Sequence, residues 1–536
     1  MNQITPPQKL EIIPSSAPFS EAQRSWLNGF FAGLLTNDGA VPLSPEQNAA
    51  ALQGPAGEAD DDDDTPWHDQ TLPIAERMKL AEGRPLRRRM MAAMAQQDCG
   101  QCGYNCRDYS DAIAGKSEAR LNLCVPGGKE TARMLKTLHE ELDKGPAPAA
   151  SPAAVPAVAI STTISEPGRS RDNPIDAIFT ARRLLNKKGS EKETYHVDFD
   201  LTGSRLDYIV GDSFGVFAKN DVGLVDQIIA LLGASHTTKV NGKTLRDALI
   251  SDVSLSPAPD SLFELFSYLT GGKLREKARA LAQGEDPDGD AATLDVMAVL
   301  QKFSSVRPHP ESFVEALEPL QPRLYSISSS HNATPGRLSL TVDSVRYVIG
   351  KRKRLGLAST FLAERVGPGE QVKVYVQKAH GFALPQDPKT PIVMIGPGTG
   401  IAPFRAFLLD RKATGATGKN WLFFGHQRSD CDFFYQDELN AMKTAGLLTR
   451  LSLAWSRDGA KKFYVQDRMR EVGRELWTWL AEGAHVYICG DAKRMAKDVE
   501  RALVDIVAQF GARSTDEAIS FIADLKKKGR FQQDVY

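Results

Sequence analysis

Net charge is almost absent from this chain: 66 lysines and arginines stand against 67 aspartates and glutamates in 536 residues. Such a balance creates no field that would gather nucleic acid or an anionic membrane surface, so neither is expected as a partner. Long apolar runs are missing too. No stretch approaches the roughly 18 apolar residues of a membrane span, and the opening MNQITPPQKLEIIPSS lacks a basic-then-apolar leader, so a cytoplasmic protein is expected. Cysteine is scarce, with six in all, too few for a disulfide scaffold. Four of them, Cys99, Cys102, Cys106 and Cys124, nevertheless fall within 26 residues. In a reducing compartment that clustering favours metal binding.

The length suggests three or four domains of ~100 to 200 residues each, and two low-complexity stretches mark joints between them. GEADDDDDT at 57–65 holds acid and nothing apolar to bury, so it reads as a solvated linker. GPAPAASPAAVPAVAISTTISEPGRS at 145–170 reads as an extended, semi-rigid tether. Ahead of the acid run, residues 18–35 place Trp26, Phe30 and Leu34 on one helical face behind the N-cap Ser20. That face either packs on this chain or docks a partner subunit. After the tether come strand patterns, with YHVDFDL at 195–201 alternating, then helical spacing over 222–320, then strands again. A barrel interrupted by a helical insertion is the simplest account. From PIVMIGPGTG onward strand and helix alternate, the pattern of a parallel sheet covered on both faces.

The expected division is a 1–69 tail, a small, mainly helical cysteine-bearing unit at 70–144, and a linker at 145–172. An antiparallel barrel then covers 173–389, with its insertion at about 215–320, and an α/β domain covers 390–536.

Several short motifs carry chemistry. GPGTG, from Gly396 to Gly400, follows an apolar strand and opens a helix. Its glycines admit an anion, and the free N–H groups at Ile401 and Ala402 favour a pyrophosphate. In SRDGAKKFYVQ a guanidinium and an ammonium suit a 2′-phosphate, a solvated loop being the alternative. The phosphate is assigned to Ser456, Arg457, Lys462 and Gln466, and the adenine to Tyr464. RLYS at 323–326, GLAS at 356–359, CGD at 489–491 and the final DVY complete the set.

In this order and spacing the motifs resemble the FAD and NADPH modules of the ferredoxin-NADP reductase family, most closely the flavoprotein subunits of sulfite reductase. The resemblance covers about residues 174–536, together with the 18–35 segment. It implies that Arg323 meets the flavin pyrophosphate, Tyr325 packs on the isoalloxazine and Ser326 reaches N5, with Leu324 beside them. Thr341, Val342, Asp343 and Tyr347 fall at FAD-contact positions, although Asp343 departs from the small residue expected there. Gly356, Leu357, Ala358 and Ser359 are implied at the FAD pyrophosphate. Gly396, Gly398, Thr399, Gly400, Phe463, Val465 and Asp498 join the NADP set. Ser326, Cys489 and Asp534 are implied in hydride transfer, and Tyr536 over the isoalloxazine.

The cysteine spacing, C-x2-C-x3-C-x17-C, suits four thiolates on zinc or on an iron-sulfur cluster. Three close cysteines and a distant one ahead of Pro-Gly resemble the small 4Fe-4S domains of bacterial electron-transfer proteins. No Ser/Thr-rich flavodoxin loop precedes residue 170, so FMN is not expected. The expectation is an oxidoreductase that moves hydride from NADPH to FAD. Single electrons then pass through 4Fe-4S to a sirohaem-bearing partner, namely sulfite reductase. A different acceptor (nitrite reductase or a P450), a structural zinc docking module and homo-oligomerisation stay open.

Overall fold

The computed structural model describes residues 65–68, 72–97, 102, 104–124, 126–144, 166–204, 206–379, 381–492 and 494–536. The 18–35 segment, residues 57–64 of the acid run, Cys99 and residues 145–165 of the tether lie outside the described residues. From Pro66 to Tyr536 the chain forms one unit.

Four helices, Ile74–Leu80, Leu86–Ala93, Cys106–Ala114 and Gly128–Lys144, occupy the cysteine-bearing region. Asn105 starts the third by accepting a hydrogen bond from the Asp108 N–H at 2.6 Å. Met90, Tyr109, Ile113, Leu123 and Leu138 form its small core, and Cys102, Cys106 and Cys124 belong to the same cluster.

The antiparallel sheet expected after the tether is present. Its strands are β1 (Ile175–Leu184), β2 (Thr194–Asp200) and β3 (Ser213–Val216). A small hairpin, β4 (Lys239–Val240) and β5 (Lys243–Thr244), precedes β6 (Arg323–Ser326) and β7 (Arg337–Asp343). A second hairpin, β8 (Arg346–Ile349) and β9 (Arg352–Leu355), precedes β10 (Gln371–Gln377). The six long strands run in the order β6-β3-β10-β1-β2-β7, and a bridge between Ile327 and Leu340 brings the two edges together. Alternation explains the filling: Val372, Val374 and Val376 of β10 point into a core shared with Phe179, Phe199 and Phe214. Between β3 and β6 stands a helical layer from Val222–Leu232 to Pro310–Glu315 with its own apolar core, including Phe263, Phe266, Phe303 and Phe313.

The C-terminal part is a five-stranded parallel sheet: β11 (Ile392–Ile395), β12 (Asn420–His426), β13 (Arg450–Trp455), β14 (His485–Gly490) and β15 (Phe531–Val535). They are ordered β13-β12-β11-β14-β15. All four residues of β11 are buried, as a central strand covered by helices on both faces requires. Among the described residues no helix is long and apolar enough to cross a membrane.

Buried polar contacts join the two sheets. The Arg405 guanidinium donates to the Ser328 carbonyl at 2.7 Å and lies over the Tyr435 ring at 4.8 Å. The Tyr435 hydroxyl meets Thr341 at 2.7 Å and His196 at 3.0 Å. Asp432 accepts from Asn186 at 2.8 Å and from Ser190 at 2.5 Å. Burial raises its carboxyl, but these hydrogen bonds outweigh that and hold it below the usual range.

Candidate functional site

Two cavities lie along the front of the barrel and share Arg323, Gly356 and Leu357. The first, about 450 Å³, is lined by Leu324, Tyr325, Ser326, Thr341, Asp343, Ala358 and Ser359 from the barrel side. Thr399, Ala402, Asp534, Val535 and Tyr536 line it from the parallel sheet. The second, about 380 Å³, has Arg352, Lys353, Arg354 and Arg365 among its walls with Asp221 and Asp295, the latter paired with Arg352 and Arg354, and includes Tyr347. Among the described residues Arg323 donates only to the carbonyls of Gln321 and Pro322, at 3.1 and 3.3 Å, and burial disfavours its charge. A guanidinium held at the joint of two cavities with no carboxylate beside it suits a pyrophosphate, and the paired cavities suit a dinucleotide such as FAD. A side chain at Gly356 would stand 2.6 Å from Ser359 Oγ and 2.9 Å from Val345 Cβ, which explains glycine there. The Ser359 hydroxyl accepts from the Val345 N–H at 3.1 Å, fixing that turn. Val342 of the same predicted set faces the barrel core instead.

In the wall of the first cavity the two sheets meet. Ser326 Oγ donates to Asp534 Oδ2 at 2.5 Å, and Cys489 Sγ lies 3.7 Å from the same oxygen. Parallel pairing sets Cys489 beside Asp534 across β14 and β15. Burial pushes the Asp534 carboxyl up, with Ser326 and Cys489 working against it. Burial, then the carboxylate, push the Cys489 thiol well up. The Tyr536 hydroxyl meets Thr399 at 2.7 Å, and its N–H donates to the Gly490 carbonyl at 3.0 Å.

A third cavity, about 520 Å³, opens at the carboxyl ends of the parallel strands. Gly398, Ser456, Phe463, Tyr464, Val465, Gln466 and Asp498 line it, as does His426 at the end of β12. Gly398 has φ +60, the left-handed region glycine favours. Gly400 is required by packing, since a Cβ there would stand 2.1 Å from the Cys489 carbonyl oxygen, and Gly396 likewise abuts Phe404. Arg457 and Lys462 are not in the lining. Arg457 is paired with Glu191 of the barrel at 2.5 Å, and Lys462 is exposed.

Sequence reasoning missed Lys192, His426 and Arg494, which line this cavity. Lys192 comes from the β1–β2 connection and also pairs with Asp343 at 3.2 Å, so one ammonium touches both sites. No local pattern marks it. His426 was findable from its place at a strand's carboxyl end, where open parallel sheets hold ligands.

In the front unit, Cys102, Cys106 and Cys124 are all buried in one core. Cys102 and Cys124 lie within electrostatic reach of each other, and burial pushes the Cys102 thiol up to about 11. The backbone N–H groups of Ala95 and Gly127 are directed at the Cys124 sulfur, and a Cβ on Gly127 would stand 3.0 Å from it. Among the described residues no three ligating side chains converge tightly on one point. Three buried thiols in one core are a donor type that zinc and iron-sulfur centres both use.

Two domain families match the chain: an FAD binding domain over residues 167–361 and an oxidoreductase NAD-binding domain over residues 394–501. The chain is also similar to proteins named sulfite reductase (NADPH) flavoprotein alpha-component. Identity is 43% with that of Photorhabdus laumondii, covering 68% of this chain and 61% of the relative. It is 41% with that of Escherichia coli O157:H7, covering 73% and 66%. It is 41% with that of Klebsiella pneumoniae, covering 80% and 71%. The chain thus spans less than two thirds of the length of the first two relatives.

Proposed function

The chain belongs to the sulfite reductase (NADPH) flavoprotein alpha-component family, and from that premise we propose that it is an NADPH-dependent flavoprotein oxidoreductase delivering electrons to a sirohaem-bearing sulfite reductase partner. The observation that carries this reading is the meeting of Ser326 and Asp534 in the wall of a cavity built from both sheets, with the buried Cys489 3.7 Å from the same carboxylate. FAD would supply the exchange between a two-electron hydride and single electrons, and a 4Fe-4S centre a one-electron carrier.

The residues then take these roles. Arg323 and the turn from Gly356 to Ser359 would hold the FAD pyrophosphate, Tyr325 would pack on the isoalloxazine, Leu324, Thr341, Asp343 and Tyr347 would complete the flavin set, and Val342 would support them from the barrel core. Gly398 and Thr399 admit the NADPH pyrophosphate, while Gly396 and Gly400 hold the turn close to β14. Ser456, Arg457, Lys462 and Gln466 take the 2′-phosphate, with Phe463, Tyr464, Val465 and Asp498 around the adenosine. Ser326 presents its hydroxyl toward the reacting edge, Asp534 orients that hydroxyl, and Cys489 brackets the nicotinamide. Tyr536 would cover the flavin and keep water from it, and would yield that place to nicotinamide. Cys102, Cys106 and Cys124, with Cys99, hold the iron-sulfur centre, and no FMN takes part. The organisation proposed is a cysteine domain at 70–144, a linker at 145–172, an FAD barrel at 173–389 and an NADP domain at 390–536.

Anaerobic NADPH titration of the FAD-loaded protein tests the reading. Flavin absorbance should bleach with NADPH and far less with NADH, and electrons should reach ferricyanide. A flavin that stays oxidised under NADPH would sink it. Cys102→Ser should keep bleaching and ferricyanide reduction yet lose delivery to the haem partner.

A further inference from the structure

One face of the barrel is covered by the cysteine-bearing unit. Tyr375 of β10 is fully buried there, and its ring lies so close on Gly215 that a Cβ at that glycine would stand 2.0 Å from it. Register places Tyr375 opposite Gly215 of β3, and Gly215 opposite Leu324 of β6, the strand that lines the flavin cavity. At ~4.8 Å per strand the backbone of Tyr375 is about 10 Å from that of Leu324. Its hydroxyl is buried and, among the described residues, meets no hydrogen-bond partner. Arg171, Cys102 and Asp172 lie within electrostatic reach of it. Tyr375 is therefore a residue of the flavin sheet within electrostatic reach of a thiol of the cysteine unit.

The rim of this interface is ionic. Arg133 of the cysteine unit grips Asp260 of the helical layer through two hydrogen bonds of 2.8 Å, and Lys129 adds a third at 3.4 Å. Arg120 pairs with Asp172 at 3.1 Å, and Asn122 donates to Glu318. A Cβ at Gly284 would stand 2.4 Å from the Arg133 guanidinium, so the helical layer leaves room for that side chain. The basic partners, Arg120, Lys129 and Arg133, lie on the cysteine unit, and the acidic ones are Asp260 of the helical layer and Asp172 at the end of the linker. Such half-exposed pairs are weakened by salt, which suits an interface that must form and release.

We propose that this face is the docking site at which the cysteine-bearing unit takes electrons from the flavin module, with Asp260 its anchor and Tyr375 the positioning residue at its centre. The inference rests on the proposed function, since it takes the pocket to hold an iron-sulfur centre. The transfer would be outer-sphere, with no bond made between the two groups: FAD would supply single electrons, a cysteine-held centre would accept them one at a time, and protons released from the flavin N–H would pass to water.

The full chain, purified anaerobically, supplies the test. Zero-length carbodiimide coupling at low salt should join Lys129 to Asp260, as found by mass spectrometry, and high salt should abolish the product. Asp260→Arg should slow the freeze-quench appearance of the reduced-cluster signal after NADPH by tenfold or more. Its flavin bleaching, its KM for NADPH and its ferricyanide reduction should stay at wild-type values. Adding Arg133→Asp to that variant should restore the rate by swapping the charges, which separates docking from misfolding. Tyr375→Phe, which keeps the ring, should transfer electrons faster than Tyr375→Leu. A cluster-bearing Asp260→Arg protein that reduces its cluster at the wild-type rate overturns the proposal alone. Wild-type protein without iron fails the functional reading beneath it.

Discussion

Ser326 Oγ and Asp534 Oδ2, 2.5 Å apart, tie the end of β6 to β15 and so join the flavin barrel to the nucleotide sheet at the point where both cavity walls meet. Asp534→Asn should slow NADPH reduction of FAD in stopped flow. Removing one charge-assisted hydrogen bond, worth about 1.5 to 3 kcal/mol, corresponds to roughly 10- to 150-fold. The pH profile should change as well. Burial raises the Asp534 carboxyl above the usual ~3.9 of an aspartate. Its ionised form favours the nicotinamide cation that develops as hydride leaves, so the wild-type rate falls as pH drops through that raised value. The Asn variant should lack this limb.

Arg457→Ala with Lys462→Ala should weaken NADPH binding far more than NADH binding, by about 1.5 to 3 kcal/mol for each charge-assisted hydrogen bond that the 2′-phosphate forgoes. The Arg457–Glu191 pair adds a converse. Glu191→Gln should free the guanidinium and tighten NADPH without affecting NADH. Equal effects on both nucleotides would move the 2′-phosphate site elsewhere.

Deleting Tyr536 should raise activity with NADH, because nicotinamide no longer has to displace a ring. The gain expected is at least the ~0.5 to 1.5 kcal/mol of an aromatic stack. Steady-state kcat/KM with NADH is the readout, and an unchanged value removes the tyrosine from the flavin face.

Much of the architecture was legible because it rests on period. The alternation in YHVDFDL became β2, and the apolar run ending at Gly396 became the buried central strand β11. Glycine chemistry located the turn at Gly398, where φ is positive, and the family resemblance located that at Gly356, where a Cβ would meet Ser359. What sequence did not give was proximity across long separations. Lys192 reaches both Asp343 and the nucleotide cavity from a barrel connection, and Tyr375 comes within electrostatic reach of Cys102 across 273 positions. Neither has a local signature. The clamp residues illustrate the reverse case: Arg457 was recognisable by type, but its pairing with Glu191 came only from the fold.

Asp432 supports the seam between the sheets. Its replacement by alanine leaves Asn186 and Ser190 without their acceptor, which should cost about 1 to 3 kcal/mol in denaturant unfolding. Because the folded carboxyl sits below its usual value, its contribution is present above the unfolded value of ~3.9 and is lost as pH falls through the folded one. The difference between wild type and Asp432→Ala should therefore shrink below about pH 4.

Iron and acid-labile sulfide analysis of the anaerobically purified full chain tests most directly the claim that flavin electrons leave through the pocket of Cys102, Cys106 and Cys124. The account predicts about four irons and about four sulfides per chain, the composition of a 4Fe-4S centre. About one zinc per chain with no sulfide would contradict it.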